Sequence, residues 1–504
     1  MLARGSSRAC GISTKTSYRQ PVALSRSFWF SSSTKQQHQE STAPEIYDVV
    51  CVGGGPAGLA LTTALRANDR TSKLKIALIE GQDIHSGRDQ FKSQSGFSNR
   101  CSSLTPSSVS FMDKIGAWQH VNQSRVQPYT SMKVWDGVSG SSIYFDPTQM
   151  HQNNILDAIF PQPPRQPNDL TIATMTENQN LTSGLLCRLD SLPSIDLLSK
   201  TRVESINLGT ATDQADFSTW PILTLASSRK IAARLLIGAD GFNSPVRTFA
   251  SIPSRGWDYE RHGVVATLRL SQTPSQVTAY QRFLPTGPVA LLPLPSSTAT
   301  LVWSTTPAHA AALKRLSPPD FTAMVNAAFR LLPVDIDYML SSMSSGHADE
   351  VSWRLSATSF DASLVPESVI DVQQGSVASF PLRMRHADTY VGSRVALVGD
   401  AAHTVHPLAG QGLNQGLADV EALVEAVDYA LSVGWDIGAP WALERYNAAR
   451  WGRNSAMLGA VDKLHKLYSA GSGPVVWARS LGLDLVNRAD WAKGFFMRAA
   501  AGGK

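Results

Sequence analysis

Asp400, His403 and His406 stand together in GDAAHTVHPLAGQGLNQG, followed at once by Gly410, Gln411 and Gly412. An acid and two imidazoles at this spacing suit general acid–base work. They make a poor metal site, because two histidines three apart have no third ligand nearby and the chain has no CxxC motif. The glycines offer a different chemistry. A helix opening at Gly410 has no side chain to block approach, so its first N–H groups and positive dipole end face whatever lies in the turn. A reduced flavin carries negative charge near N1 and its C2 carbonyl, and a helix N-terminus stabilises that charge. On this reading Asp400 accepts a hydrogen bond from a ribityl hydroxyl. The backbone of Gly410, Gln411, Gly412, Leu413 and Asn414 faces the ring, and the histidines shape the turn.

A second glycine set lies near the start. Gly53, Gly55 and Gly58 give G-x-G-x-x-G, and Glu80 follows 22 residues after the third glycine. The first glycine permits a tight turn, the second lets a phosphate approach the backbone, and the third lets helix and strand pack closely. An acid at the distance of Glu80 belongs on a ribose hydroxyl and favours an unphosphorylated ribose. This loop alone accommodates FAD or NAD equally.

The elements that hold these residues are readable. Ile46 to Val52 form a short valine-rich run stopped by glycine, a buried strand. Pro56 suits the first turn of a helix reaching about Ala67, and KLKIALIE (73 to 80) is the next strand. Residues 98 to 120 read as helical around SSVSFMDKIGAW, and SMKVWDG with SSIYFD (131 to 146) as a hairpin. PQPPRQPN (161 to 168) reads as a surface loop, and RLLIGAD (234 to 240) as another buried strand. GVVATLRL, GPVALLPL and ATLVWST alternate as an antiparallel sheet with one covered face. RVALVGD then returns to the parallel style. Beyond it Leu413, Leu417, Val420, Val424 and Val427 make one helical stripe. The fold class is therefore α/β, a discontinuous Rossmann-like domain with an inserted β-rich domain and a C-terminal helical region.

Charge sits in one place. Residues 1 to 42 hold six bases against the single acid Glu40, which accounts for the whole net charge of +5; the other 39 bases and 39 acids cancel. The basic balance therefore does not imply nucleic acid. A Ser- and Arg-rich, acid-poor leader is a mitochondrial transit pattern. The four cysteines, Cys10, Cys51, Cys101 and Cys187, suit a reducing compartment. No apolar run reaches the length of about 18 residues that would span a bilayer.

GDAAH-x2-HP-x2-GQG-x-N with Asp419 resembles the flavin signature of the FAD-dependent aromatic hydroxylases, the para-hydroxybenzoate hydroxylase family. GADGFNSPVR (238 to 247), with Asp240, Gly241 and Arg247, resembles that family's DG motif near the cofactor pyrophosphate. Arg100 resembles an arginine beside the FAD. RFLPTGPVALLPL, VWST and SFPLRMRHADTYVG are most similar to the ubiquinone-biosynthesis branch, and the resemblance covers most of residues 45 to 500, weakest at 160 to 232.

The resemblance implies an FAD monooxygenase acting through a flavin C4a-hydroperoxide. Its substrate would be a 3-polyprenyl-4-hydroxybenzoate-type phenol, hydroxylated at ring C5 with O2. It implies that Pro407 borders the reacting ring, with His406 beside it as the other candidate for contact with reacting atoms. Ferredoxin and its reductase would supply electrons. The enzyme would sit peripherally on the matrix side of the inner membrane, within a coenzyme Q biosynthetic complex.

The expected FAD contacts are Gly53, Gly55, Gly58, Glu80, Arg100, Asp240, Gly241, Asp400 and Gly410 through Asn414. The expected FAD-binding parts are 43–130, 150–252 and 391–440, with a hairpin at 131–149, a substrate domain at 253–390 and a helical region at 441–504. Arg383, Arg385 and His386 form a basic cluster, read as a solvated face or a redox-partner site. VVWARSLGLDLVNRADWAKGFFMRAAAGG either lies on a membrane or packs as a helix over the substrate tunnel. The competing readings are a flavin-dependent polyprenyl reductase or oxidase without oxygen insertion, and a mainly structural flavoprotein subunit.

Overall fold

The computed structural model describes residues 43–146, 171–213, 215–405 and 410–469, together with Gly473, Val476, Arg479 and Gly482. The leader, the 161 to 168 loop, His406, Pro407 and nearly all of the C-terminal aromatic stretch lie outside the described residues.

Val49, Val50 and Cys51 are fully buried, as a valine-rich run without polar interruption requires of a central parallel strand. Strand Glu45–Val52 pairs in parallel with Ile76–Ile79 on one side and Lys230–Gly238 on the other. Val395–Leu397 adds in parallel to Lys230–Gly238, and Asp196–Leu198 to Ile76–Ile79. Neighbours in this eight-stranded sheet thus come from distant parts of the chain, which makes the domain discontinuous. Helix Pro56–Ala67 starts with the expected proline and packs against Asn178–Asp190 and Gln411–Ser432. The predicted stripe on Gln411–Ser432 faces the core: Leu417, Val420, Val424 and Val427 are buried, with Leu413 packed at its edge.

The second, nine-stranded sheet contains the predicted hairpin Ser131–Asp136 and Ser142–Phe145, and the antiparallel strands Ser254–Leu270, Thr278–Leu284, Gly287–Pro293 and Thr298–Thr305. One face is covered as expected, and the cover consists of helices that the strand pattern did not reveal. Pro307–Arg315, Pro318–Arg330, Pro333–Ser342 and His347–Ala357 bring Phe321, Met324 and Phe329 onto Trp303, Leu301 and Val289. The first two announce themselves locally. Thr306 and Ser317 cap the N–H groups of His309 and Asp320, and a proline follows each cap.

The expected helix over 98 to 120 is shorter. Cys101–Leu104 is a strand paired with Ala173–Glu177, and the helix is confined to Pro106–Lys114, capped by Thr105. The long-range pairing overrides local preference, since CSSL offers no apolar alternation to announce a strand.

Tyr468 and Arg479 fasten the helical region to the second sheet. Arg479 gives Asp136 two hydrogen bonds, of 2.8 and 3.0 Å, both side chains being buried, and Tyr468 stacks on Phe283 at 3.9 Å between ring centres.

Candidate functional site

The glycine loop follows Glu45–Val52, at the carboxyl ends of the parallel strands. Its three glycines divide the work. Gly53 has φ of +109°, and a Cβ there would lie 2.2 Å from the Ala239 carbonyl oxygen. A Cβ on Gly58 would lie 1.9 Å from the Gly53 oxygen, whereas one on Gly55 would meet nothing within 4 Å. The first and third glycines are thus demanded by the protein's own packing, and the second borders open space. Glu80 has a task beyond the expected one. It accepts the Gly54 N–H at 2.6 Å and the Gln82 N–H at 2.7 Å, so it braces the loop.

Asp240 lies just beyond the neighbouring strand, Lys230–Gly238. One carboxylate oxygen accepts the Val246 N–H at 3.1 Å, while the other is buried without a hydrogen-bond partner. Burial raises its pKa above the ordinary carboxylate value, against hydrogen bonds that lower it. Gly241 beside it has φ of +81° and open space at its Cβ position. Arg247 donates to the carbonyls of Ala401 and Phe242, both at 2.8 Å, and so ties this segment to the Asp400 turn.

That turn sits where two helix N-termini meet. A Cβ on Gly399 would touch Ala57, at the start of the first helix, at 3.4 Å, and Gly416 of the later helix at 3.9 Å. Gly410 caps the later helix in the left-handed region, at φ of +58°, with no side-chain cap, and Gly412 has open space at its Cβ position. The first-turn N–H groups have no acceptor within their own helix. Asn414 is committed elsewhere. Its oxygen accepts from the Thr105 N–H and Ser108 hydroxyl, and its nitrogen donates to the carbonyls of Ser103 and Gly410. Its side chain is a bolt between two segments, which leaves only its backbone to face a ligand.

Behind the turn lies a buried polar network that sequence reasoning missed. His403 Nε2 donates to Asp419 at 2.5 Å; Arg450 and Asn454 donate to the other oxygen of Asp419 at 2.9 and 3.0 Å. Gly399 N–H also reaches Asp419, at 3.2 Å. Burial pushes the Asp419 carboxyl up, but His403 and Arg450 outweigh it and hold the pKa below the ordinary value. His403 is therefore scaffolding for the turn. The available signal was Asp419 itself, a charge inside an apolar helical stripe.

Asp400 and Arg100 open on a cavity of about 730 Å³, with Gly410 and Gln411 beside them. Protein crowding raises the Asp400 pKa, while His403 lowers it. The side chain is nonetheless accessible, on the cavity that it lines. The opposite wall is the uncovered face of the nine-stranded sheet, with Val265, Ala290, Leu292 and Val302. Val461 and Leu464 from helix Pro440–Tyr468 close one end. The site residues fall into two groups: Gly53, Gly55, Gly58, Glu80, Asp240 and Gly241 at the strand ends, and Arg100, Asp400, Gly410 and Gln411 at the cavity, with Gly412, Leu413 and Asn414 in the helix that begins there.

The expected basic cluster divides. Arg383 and Arg385 are partly exposed, each within 3.5 Å of Asp258, and their guanidinium groups lie 5.2 and 6.0 Å from the Phe242 ring centre. His386 turns inward, bonded to the Tyr390 hydroxyl at 2.8 Å and stacked on Trp451. Burial, with the nearby His403, lowers its pKa from 6.5 to about 4. The folded state then holds fewer protons than the unfolded chain within that window, so stability present above pH 6.5 is lost as the pH falls toward 4. His386→Gln is expected to flatten the fall in melting temperature over this range. Superimposable wild-type and variant profiles would refute it.

The family model described as FAD binding domain matches residues 46–338 and 341–459. Among solved structures, the chain resembles p-nitrophenol 4-monooxygenase PnpA from Pseudomonas putida DLL-E4, at a TM-score of 0.62 and 16% identity, over 92% of this chain and 100% of that one. It also resembles PqsL, a probable FAD-dependent monooxygenase from Pseudomonas aeruginosa, at a TM-score of 0.59 and 19% identity, covering 87% and 100%. Together with the family match, the shared fold defines the class: an FAD-binding protein with the fold of these two proteins.

Curated relatives carry the name mitochondrial ubiquinone biosynthesis monooxygenase COQ6. The Schizosaccharomyces pombe protein is 39% identical over 468 residues, covering 91% of this chain and 92% of its own. The Homo sapiens protein is 35% identical over 443 residues, covering 88% and 90%. The chain belongs to the COQ6 family of mitochondrial ubiquinone biosynthesis monooxygenases.

Proposed function

We propose that this enzyme hydroxylates ring C5 of a 3-polyprenyl-4-hydroxybenzoate-type intermediate, using O2 and FAD. The observation that carries the reading is the cavity, with an Asp400 and helix-N-terminus wall on one side and an apolar sheet face on the other. A phenol with a long hydrocarbon tail needs that combination of polar end and apolar body.

The residues present fit the cofactor. The unpartnered buried oxygen of Asp240 and the open space beside Gly55, Gly241 and Gly412 are features that the protein alone does not explain. The loop of Gly53, Gly55 and Gly58 would hold the pyrophosphate, with Asp240, Gly241 and Arg100 beside it. Glu80 would hold the ribose and Asp400 the ribityl chain. The amides from Gly410 to Asn414 would face the ring. When bound, FAD supplies the oxygen activation. The protein's part is to exclude water with the sheet face, to hold the phenol against the ring, and to place helix-terminal N–H groups where negative charge gathers. Pro407 and His406 are the proposed neighbours of the reacting atoms.

Electrons would come from ferredoxin and its reductase, and the Arg383 and Arg385 face with Phe242 suits an acidic donor. The enzyme would lie on the matrix side of the inner membrane within a coenzyme Q biosynthetic complex. Among the described residues, no helix is long and apolar enough to cross a membrane. The test supplies purified flavoprotein with reduced ferredoxin, oxygen and 3-polyprenyl-4-hydroxybenzoate, and follows product mass. A gain of one oxygen at C5 is expected; no gain, with FAD bound and reducible, refutes the assignment.

A further inference from the structure

Strand alternation sorts the second sheet into two faces. Arg282 faces the helices, where its guanidinium donates to the Ala328 carbonyl at 3.0 Å. Gln281, one residue earlier, faces the cavity. Its cross-strand row is fixed by register: Gln281 lies opposite Ala290, Ala290 opposite Val302, Val302 opposite Val265, and Val265 opposite Ala378. All five line the cavity, and Gln281 is the only one with a hydrogen-bonding side chain. The hydroxyls of Thr300 and Ser304 lie on the same face two strands away.

Gln281 is 8% exposed, and the part of it left uncovered opens on the cavity. An amide that opens on an enclosed cavity is met there by water or by the polar group of a ligand. No packing requirement calls for it, since its row neighbours are alanine and valine. The side chain is therefore available to a polar group that enters the cavity.

We propose that Gln281 binds the phenolic oxygen of the substrate and so sets which ring carbon faces the flavin side of the cavity; this rests on the function proposed above. The amide suits a phenol better than a charged residue does. Its Oε1 accepts from a phenol O–H, and its Nε2–H donates to a phenolate oxygen, so one side chain holds both forms without itself titrating. A carboxylate substituent calls for a cation instead.

The test compares binding of 3-farnesyl-4-hydroxybenzoate and 3-farnesylbenzoate, which lacks the hydroxyl, to the FAD-loaded enzyme under anaerobic conditions. Wild type is expected to favour the hydroxylated compound by about tenfold or more, the worth of one buried hydrogen bond. In Gln281→Met, of equal length without the amide, the ratio is expected to fall close to one, with FAD content and melting temperature unchanged. Gln281→Leu provides a second apolar variant should the first fold poorly. A ratio preserved in both variants overturns the role of Gln281 and leaves the proposed substrate standing. A wild type that binds neither compound overturns both.

Discussion

Asp419→Ala is expected to destabilise the protein by about 3–5 kcal/mol, the usual result of breaking a buried ion pair by removing one partner. Arg450 would keep its charge, with only 12% of its side chain exposed and no carboxylate to meet it. His403, Asn454 and the Gly399 N–H would lose their shared acceptor at the same time. The damage should not stop at stability, because Gly399 precedes Asp400 and His403 follows it. FAD content per mole of protein is therefore expected to fall together with the melting temperature. Thermal unfolding and flavin absorbance read the two effects. A variant that melts with wild type and retains its flavin would show that the network bears no strain.

The second large effect separates two glycines of one motif. Gly58→Val is expected to give little soluble protein, since even a Cβ would lie 1.9 Å from the Gly53 oxygen and both partners are backbone. Gly55→Val is expected to fold and to melt near the wild-type apoprotein, because nothing lies within 4 Å of its Cβ position. It should nonetheless bind FAD at least a hundredfold more weakly, on the order of 3 kcal/mol, as its side chain would occupy the space proposed for the pyrophosphate. Equal loss of fold in both variants would mean that the loop is specified by packing alone.

The sequence made the parts governed by local rules legible. The strand at Val49 to Val52, the glycine turn, the Pro56 helix start and the Leu417 to Val427 stripe each follow from steric or periodic requirements that neighbouring residues satisfy. The Cys101–Leu104 strand was not legible, because its reason to exist is its partner, Ala173–Glu177. The four helices over the second sheet left proline and cap signals at Thr306 and Ser317, which the stronger β alternation on either side obscured. The cavity group of site residues was largely readable as a motif. The partners that fix it were not: Arg450 and Asn454 reach Asp419 from another helix, and nothing in their own surroundings marks them. Gln281 carries no mark in the sequence, and its strand, Thr278–Leu284, was not among those read there. Only register shows that its face is the enclosed one.

The discontinuous sheet also sets an order in time. A chain delivered end first, from a ribosome or through a membrane pore, presents Glu45–Val52 early. Its partner Lys230–Gly238 arrives much later, and Val395–Leu397 later still. Asp136 must wait for Arg479 near the chain's other end. Until then the growing chain carries unpaired strand edges, which invite association with other unfolded chains. The architecture that joins distant segments in one sheet thus leaves the newborn protein with open edges until the segments carrying Val395–Leu397 and Arg479 have arrived.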